Sequence, residues 1–457
     1  MAIATINPAT GETVKTFDPE DAREVERKVA LAAETFASYR RTGYAERAGR
    51  LRAAADLMAA EADELAATVT TEMGKPLAAA KAEAAKCVKT MRYYAEHAER
   101  FLADVARDAD AVGASRAFTR YQPMGVVLAV MPWNFPLFQV VRFAAPALMA
   151  GNVGLLKHAS NVPQTALYLG ELFARGGFPA GCFQTLLVGS DAIEKILRDE
   201  RVVAATLTGS EPAGRAVAVI AADEIKKTVL ELGGADAFVV TDAANLDAAV
   251  ETAVKARVQN CGQSCIAAKR FIVQSGVYDE FASRFTAAMQ ALTTGDPMDD
   301  GTDVGPLCSE RGRADLEELV DDAKAGGASV LCGGERLDRS GWYYPPTVLA
   351  DVTDSMRVYR EETFGPVATL FKVSTVDEAL AVANATSFGL GSNAWTDDPD
   401  EQERFVEELD AGQVFINGMT TSYSELPFGG VKRSGYGREL ADLGIKEFCN
   451  AKTVWIG

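Results

Sequence analysis

Between residues 126 and 241 the chain carries six short apolar runs, at 126–131, 153–157, 184–188, 203–207, 228–231 and 237–241. Most are separated by helix-compatible stretches. Strands that alternate with helices build parallel βαβ units, so this stretch predicts an open α/β sheet. A second α/β series follows. Helix is expected at 242–258, 278–292, 315–325, 376–385 and 398–409, and strand at 269–274, near 329–332, at 367–373 and at 413–417. The tail 449–456 reads as an apolar strand. Ahead of both series, residues 19–105 read as long Ala- and charge-rich amphipathic helices, 44–72 and 77–103, split by the breaker Gly74-Lys75-Pro76. No repeat, low-complexity linker or charge block interrupts the chain. Two α/β lobes without a flexible hinge place a functional site in the cleft between them.

Composition narrows the function. At 457 residues, two to four domains are expected. With 46 Lys+Arg against 64 Asp+Glu the net charge is −18, which leaves no basic excess for a nucleic-acid partner. The only histidines are His97, on an exposed-looking helix, and His158. A multi-His metal site cannot be built from two, so no metal is expected, and a general base is expected to be a carboxylate or a lysine. The N-terminus has neither a basic n-region nor an apolar h-region. The most apolar stretch, 126–151, is broken by Asn134, Gln139, Arg142 and three prolines, so neither a signal peptide nor a membrane partner is expected. Seven scattered cysteines, an odd number, fit reduced thiols in the cytoplasm.

Two patterns are set aside. Gly389 to Ala394 matches GxGxxG/A but does not sit between a strand and a following helix. Gly262 to Ile266 approaches the GxSxG elbow but lacks its final glycine. Three segments carry chemistry. Gln259 to Cys265 joins turn-forming residues to two thiols between a helix and a strand, where a stabilised thiolate is a nucleophile and an ordinary Cys is a small buried hydrophobe. Glu231 ends an apolar strand just before Gly233-Gly234, and reads either as a general base or as a solvated strand terminus. Asn134, in Met131-Pro-Trp-Asn-Phe-Pro136, follows a strand directly, and reads either as an oxyanion donor or as a turn-capping amide.

Taken together, MPWNFP, ELGG, the GQSC thiol loop, EETFGP (361–366) and PFGGVKRSG (427–435) resemble the aldehyde dehydrogenase superfamily, in its order and approximate spacing, over nearly the whole chain. The resemblance implies a Rossmann-like cofactor domain at 1–105 and 122–233, an α/β catalytic domain at 234–431, and a small β oligomerisation flap at 106–121 and 432–457. Cys265 matches the nucleophile that forms a thiohemiacetal and then a thioester. Glu231 matches the base that activates water. Asn134 and the Cys265 N–H match the oxyanion site. Lys157 belongs with the catalytic set and with the cofactor. Trp133, Asn134, Ala159, Gly209, Ser210, Leu232, Glu362 and Phe364 match positions along the dinucleotide, with Gly214 completing the phosphate turn.

The resemblance also bears on selectivity. Members that prefer NAD carry Glu at the position of Ser160. Ser160, with Lys157 and the unusual His158, therefore implies NADP, with NAD less favoured. Arg142 and Ser422 match the residues that hold the carboxylate in succinate-semialdehyde members of the family. An internal Asp or Glu is the other partner open to Arg142. A further Arg common in those members is Gln259 here, so a broader semialdehyde or aliphatic aldehyde range stays open. Cys261, four residues before Cys265, is a candidate redox partner for it. Relatives are homodimers or homotetramers. Cofactor-free esterase chemistry and a catalytically silent structural protein are the readings from other classes.

Overall fold

The computed structural model describes residues 3–457, and two parallel sheets dominate it. The first runs, from edge to edge, Gly435–Tyr436, Lys227–Glu231, Val202–Thr208, Val126–Met131, Val153–His158 and Phe183–Thr185. All neighbours are parallel except the outermost pair, in which Gly435 faces Glu231 antiparallel. The chain starts at Val126–Met131, moves outward through 153–158 to 183–185, and then returns to 202–208 on the other side of its first strand. Strand order therefore reverses between 126–131 and 202–208, and an open α/β sheet offers its ligand crevice beyond the carboxyl ends of the strands at such a point.

The second sheet runs Ser329–Cys332, Thr347–Ala350, Val367–Val373, Arg270–Gln274, Ala237–Val240, Gly391–Trp395 and Gln413–Ile416, with only the first strand antiparallel. Its two faces bury separate cores. Phe238 and Val240 enter one, and Ala237 and Val239 the other, as the two-residue period of a strand requires. Gly391–Trp395 overlaps the stretch set aside as a false glycine fingerprint. It is a strand paired in parallel with Ala237–Val240 and Gln413–Ile416, and its first residue is a glycine because a Cβ at Gly391 would stand 2.4 Å from Asp236 Oδ2.

Four helices cover the first lobe: Ala22–Tyr39, Tyr44–Ala60, Ala62–Met73 and Leu77–Phe101. The first starts where Asp21 Oδ1 accepts from the N–H groups of Arg23 and Glu24, each at 2.9 Å. The single helix expected over 44–72 is two. The chain breaks at Glu61, whose carboxylate is drawn out to Tyr168 and Arg175. Gly74 ends the third helix at φ +84, where a Cβ would stand 2.9 Å from Pro306 O.

A third sheet pairs Val105–Ala106, Arg116–Pro123 and Cys449–Ile456 antiparallel, in register from Cys449–Pro123 to Ile456–Arg116. Residues 432–448, expected in the flap, lie elsewhere. Gly435–Tyr436 joins the first sheet, and the helix Ala441–Lys446 packs on the helices Leu77–Phe101 and Phe138–Ala150. The short apolar side chains of that helix fit the first core, whereas the flap strand keeps mostly exposed residues. Among the described residues no helix is long and apolar enough to cross a membrane. All seven cysteines are free thiols.

Candidate active site

The loop Pro132–Leu137 leaves the strand Val126–Met131 at the point where strand order reverses. Two buried groups pin it. Glu83 Oε1 accepts from the N–H groups of Leu137 and Phe138, both at 2.9 Å, so a carboxylate holds the start of the helix Phe138–Ala150. The other oxygen of Glu83 meets Lys75 Nζ at 2.5 Å, and that ammonium lies 4.2 Å from the ring centroid of Phe135. From the other side, His158 Nε2 donates to Pro136 O at 2.9 Å, while Nδ1 accepts from Ala159 N–H at 2.9 Å. Nδ1 also lies 3.2 Å from Met131 O, so backbone groups hold the ring on both sides. Burial pushes the His158 pKa down to about 4, and the ring stays neutral. Both ring nitrogens face the backbone. The expectation that His158 donates to the cofactor is therefore corrected: it is a pin for the 131–136 loop.

The thiol loop is strained and tightly held. Asn260, Cys261 and Gly262 have φ of +55, +57 and +73, three left-handed residues in a row. Asn260 Nδ2 donates to Asn134 O at 2.8 Å and to Gln263 O at 3.0 Å. Arg257 donates to Gly262 O at 2.9 Å and to Val367 O at 3.1 Å. Lys269 Nζ donates to the carbonyls of Ser264, Cys265 and Ala267 at 2.8 to 3.0 Å, and lies 3.3 Å from Glu362 Oε1. Gly234 permits the close approach of the strand turn to this loop, since a Cβ there would stand 2.5 Å from Cys265 O. Cys265 is half-buried, and burial pushes its thiol up to about 12. At neutral pH it is a thiol that must lose its proton to attack.

Asn134 meets the thiol loop two residues before Cys265: its Nδ2 donates to Gln263 O at 3.1 Å, which leaves its second N–H free. Glu231 behaves differently. Its carboxyl is buried, neither oxygen has a hydrogen-bond partner, and Gly429 leaves just enough room for it. Burial and then the neighbouring Glu439 hold its pKa well above the usual carboxylate range. It does not line the pocket at Cys265. Reaching that pocket requires its side chain to turn.

That pocket, about 70 Å³, is lined by Cys265, Ser264, Gln259, Phe428, Ser422, Arg142 and Lys86, among others. Arg142 and Ser422 both reach it. Arg142 also has an internal partner: its Nε lies 2.5 Å from Glu439 Oε2, both side chains being buried, and its guanidinium stacks 4.5 Å from the Phe428 ring centroid. The unpaired charge that suggested a ligand carboxylate at Arg142 is thus offset within the protein. Cys261 is corrected as well. It is fully buried, its sulfur accepts from Gly305 N–H at 3.2 Å, and it is absent from the pocket wall that Cys265 forms. A buried, engaged thiol in that place is not poised to bridge Cys265.

The remaining expected residues gather along the strand ends. Phe364 meets Trp133 edge-on, with centroids 5.8 Å apart. Glu362 Oε1 accepts from Gly234 N–H at 3.2 Å, and burial raises its pKa. Gly209 N–H donates to Glu231 O at 2.9 Å. Ser210 begins the helix Glu211–Asp223 without a side-chain cap bond, which leaves first-turn N–H groups open to an anion. Leu232 lies against Gly214, where a Cβ would stand 2.6 Å from it. Lys157 is the last residue but one of its strand, is buried and among the described residues pairs with no acid, and Ala159 and Ser160 follow the strand. These groups fit a dinucleotide phosphate.

Several supporting residues escape a sequence reading. Glu83 and Lys86 sit in an Ala-rich helix (LAAAKAEAAKC) whose charges look solvent-facing. Lys75 belongs to a breaker. Only Lys269, four residues after the thiol, carries a local signal.

Comparison with known proteins agrees with this geometry. The model of the aldehyde dehydrogenase family matches residues 1–454. A protein of Mycobacterium avium (strain 104) called succinate-semialdehyde dehydrogenase [NADP(+)] is 66% identical, over 100% of this chain and 97% of that one. One of Mycobacterium tuberculosis (strain ATCC 25618 / H37Rv), called succinate-semialdehyde dehydrogenase [NADP(+)] 1, is 66% identical over the whole of both. The crystal structure of succinic semialdehyde dehydrogenase from Streptococcus pyogenes in complex with NADP+ superimposes with a TM-score of 0.97 at 37% identity, over 100% of both chains. The order of its strands, the glycine-backed thiol loop and these matches together show that the chain belongs to the aldehyde dehydrogenase family.

Proposed function

We propose that this chain oxidises succinate semialdehyde to succinate with NADP, by way of an acyl group carried on Cys265. The observation that carries the reading is the pocket itself, which sets Cys265 in one wall and the polar groups Ser422, Arg142 and Lys86 in the others. The 66% identity to relatives called NADP-dependent succinate-semialdehyde dehydrogenases supports it.

In this reading the Cys265 thiol releases its proton to water, its sulfur bonds to the aldehyde carbon, and the carbonyl oxygen gathers the displaced electron pair between the free Asn134 N–H and the Cys265 N–H. NADP, when bound, supplies the hydride acceptor. Lys157 and Ser160 hold its 2′-phosphate side, Gly209 and Ser210 its pyrophosphate, and Glu362 with Phe364 and Trp133 the nicotinamide end. Glu231, once turned toward the pocket and deprotonated, takes a proton from the water that attacks the acyl carbon. The carbon–sulfur bond then breaks, and the electron pair returns to Cys265. Residues 3–104 and 124–233 form the cofactor lobe in this assignment, with the 432–448 return, and 234–431 form the catalytic lobe. The outer edge of Cys449–Ile456, with Trp455 55% exposed, is where a second copy would pair. Seven free thiols support a reducing cytoplasmic setting.

The test is NADPH formation, followed by absorbance, with succinate semialdehyde and with butanal, in the presence of NADP or NAD. Fastest turnover with NADP and the acidic aldehyde is expected. Equal or better turnover of butanal would favour the broader aldehyde reading, and no cofactor reduction with either would overturn both.

A further inference from the structure

Lys86 lies on the helix Leu77–Phe101, and its ammonium reaches the pocket beside Cys265. Nζ donates to Ser422 Oγ at 2.6 Å and lies 4.1 Å from the ring centroid of Phe138. Among the described residues no carboxylate pairs with it. Arg142, the other cation in the wall, has Glu439 at 2.5 Å. Gln259, also in the wall, turns its amide to the carbonyls of Ala256 and Ile266 and adds no charge. The pocket therefore holds one neutralised cation and one whose charge meets only a hydroxyl and a ring face.

An ammonium withdrawn from water without a counter-ion is costly, and a ring face offsets only part of that cost. A ligand carboxylate in this pocket would complete the set: a charged hydrogen bond from Lys86 and a neutral one from Ser422. The cost is visible in the resting site, where burial, with Arg142 close by, pulls the lysine down to about 8.

We infer that Lys86, with Ser422, grips the far carboxylate of the substrate and sets the preference for acidic aldehydes, while Arg142 is a positioning residue committed to Glu439. This rests on the reading above for the identity of the substrate.

The experiment compares Lys86→Met and Lys86→Arg with the unaltered enzyme. The kcat/KM ratio of succinate semialdehyde to butanal is expected to fall at least about tenfold in Lys86→Met, through KM rather than kcat, as the loss of one charged hydrogen bond implies. Lys86→Arg is expected to restore most of it. An unchanged ratio, or an equal loss with both aldehydes, would overturn the inference.

A second measurement needs no turnover. Succinate is expected to shield Cys265 from alkylation by iodoacetamide, at about tenfold lower concentration in the unaltered enzyme than in Lys86→Met. Equal shielding would overturn the inference, even if butanal proves as good a substrate and the functional reading fails. A third withstands misfolding of the methionine variant. Arg142, Glu83, Cys87 and Lys89 are the charged or titratable groups around Lys86. As pH climbs past the lysine's pKa, KM for the acidic aldehyde is expected to rise in the unaltered enzyme and to stay flat in Lys86→Arg. The same slope in both would overturn it.

Discussion

Arg142 and Glu439 form a buried ion contact directly behind the reactive pocket, Nε to Oε2 at 2.5 Å, with side chains 2% and 7% exposed. Thr208 Oγ1 takes a further guanidinium hydrogen bond at 3.2 Å. The contact links three segments: the helix after Asn134, the end of the strand Val202–Thr208, and the return segment after Phe428. It also sets the charge around Glu231, which Glu439 pushes up and Arg142 pulls down.

Removing one partner of a buried pair leaves the other uncompensated. Glu439→Gln is therefore expected to destabilise the fold by about 3–5 kcal/mol. Thermal denaturation at pH 7 checks this. A melting temperature equal to that of the unaltered protein would show that the pair is solvated in solution.

Glu231→Gln separates the two halves of the reaction. Loss of a general base costs about 10²- to 10⁴-fold in the step it serves. Steady-state turnover is expected to fall by that amount, while a rapid burst of NADPH close to one per active site persists. Because the Glu231 pKa is raised, the base is expected to lose function as pH falls through that raised value. Rapid-mixing kinetics across pH 6–9 would expose both effects. A variant without any burst would place Glu231 in the first half as well.

Cofactor selection is expected to turn on the buried cation Lys157 and the turn after it. Ser160→Glu sets a carboxylate against the 2′-phosphate and offers an acceptor to a 2′-hydroxyl. The ratio of kcat/KM for NADP over NAD is expected to drop by more than about tenfold. An unaltered ratio would remove Ser160 from the phosphate site.

The buried imidazole predicts an acid-side instability. His158 has a folded pKa of about 4, against 6.5 for the free side chain. For a base with a depressed pKa, the unfolded chain binds the proton more readily. Stability is thus complete above pH 6.5 and is lost as pH falls toward 4. The loss amounts to about 3 kcal/mol by linkage. Buried Asp236, raised to about 7, works in the opposite sense, so the measurement is the difference between the unaltered protein and His158→Gln in urea at pH 7, 5.5 and 4.5. A constant difference would refute the assignment.

How far the sequence foretells this molecule depends on whether local pattern or distant contact decides each element. The strands Val126–Met131 and Val202–Thr208 are legible because β-branched runs between helix-compatible segments have few other uses. Gly391–Trp395 is not, because its glycine, serine and asparagine carry little strand preference and become a strand only between Ala237–Val240 and Gln413–Ile416. The break at Glu61 depends on Arg175 and Tyr168, more than a hundred residues away. In the site, Cys265, Asn134 and Glu231 stand out through their glycine- and turn-rich surroundings. Glu83 and Lys86 do not. A charge on an Ala-rich helix looks the same in sequence whether it faces water or a reactive pocket.

The three left-handed residues before Cys265 have a bearing on what sets the thiol in place. At Asn260 and Cys261 such a conformation is unfavourable on its own, at about 1–3 kcal/mol, whereas Gly262 adopts it freely. The contacts that hold the turn come from both lobes: Asn260 donates to Asn134 O of the first, while Gly262 packs on Gly365 of the second and Arg257 ties Gly262 O to Val367 O. The placement of the thiol is thus a joint product of the two lobes, since the turn before it is tied to both.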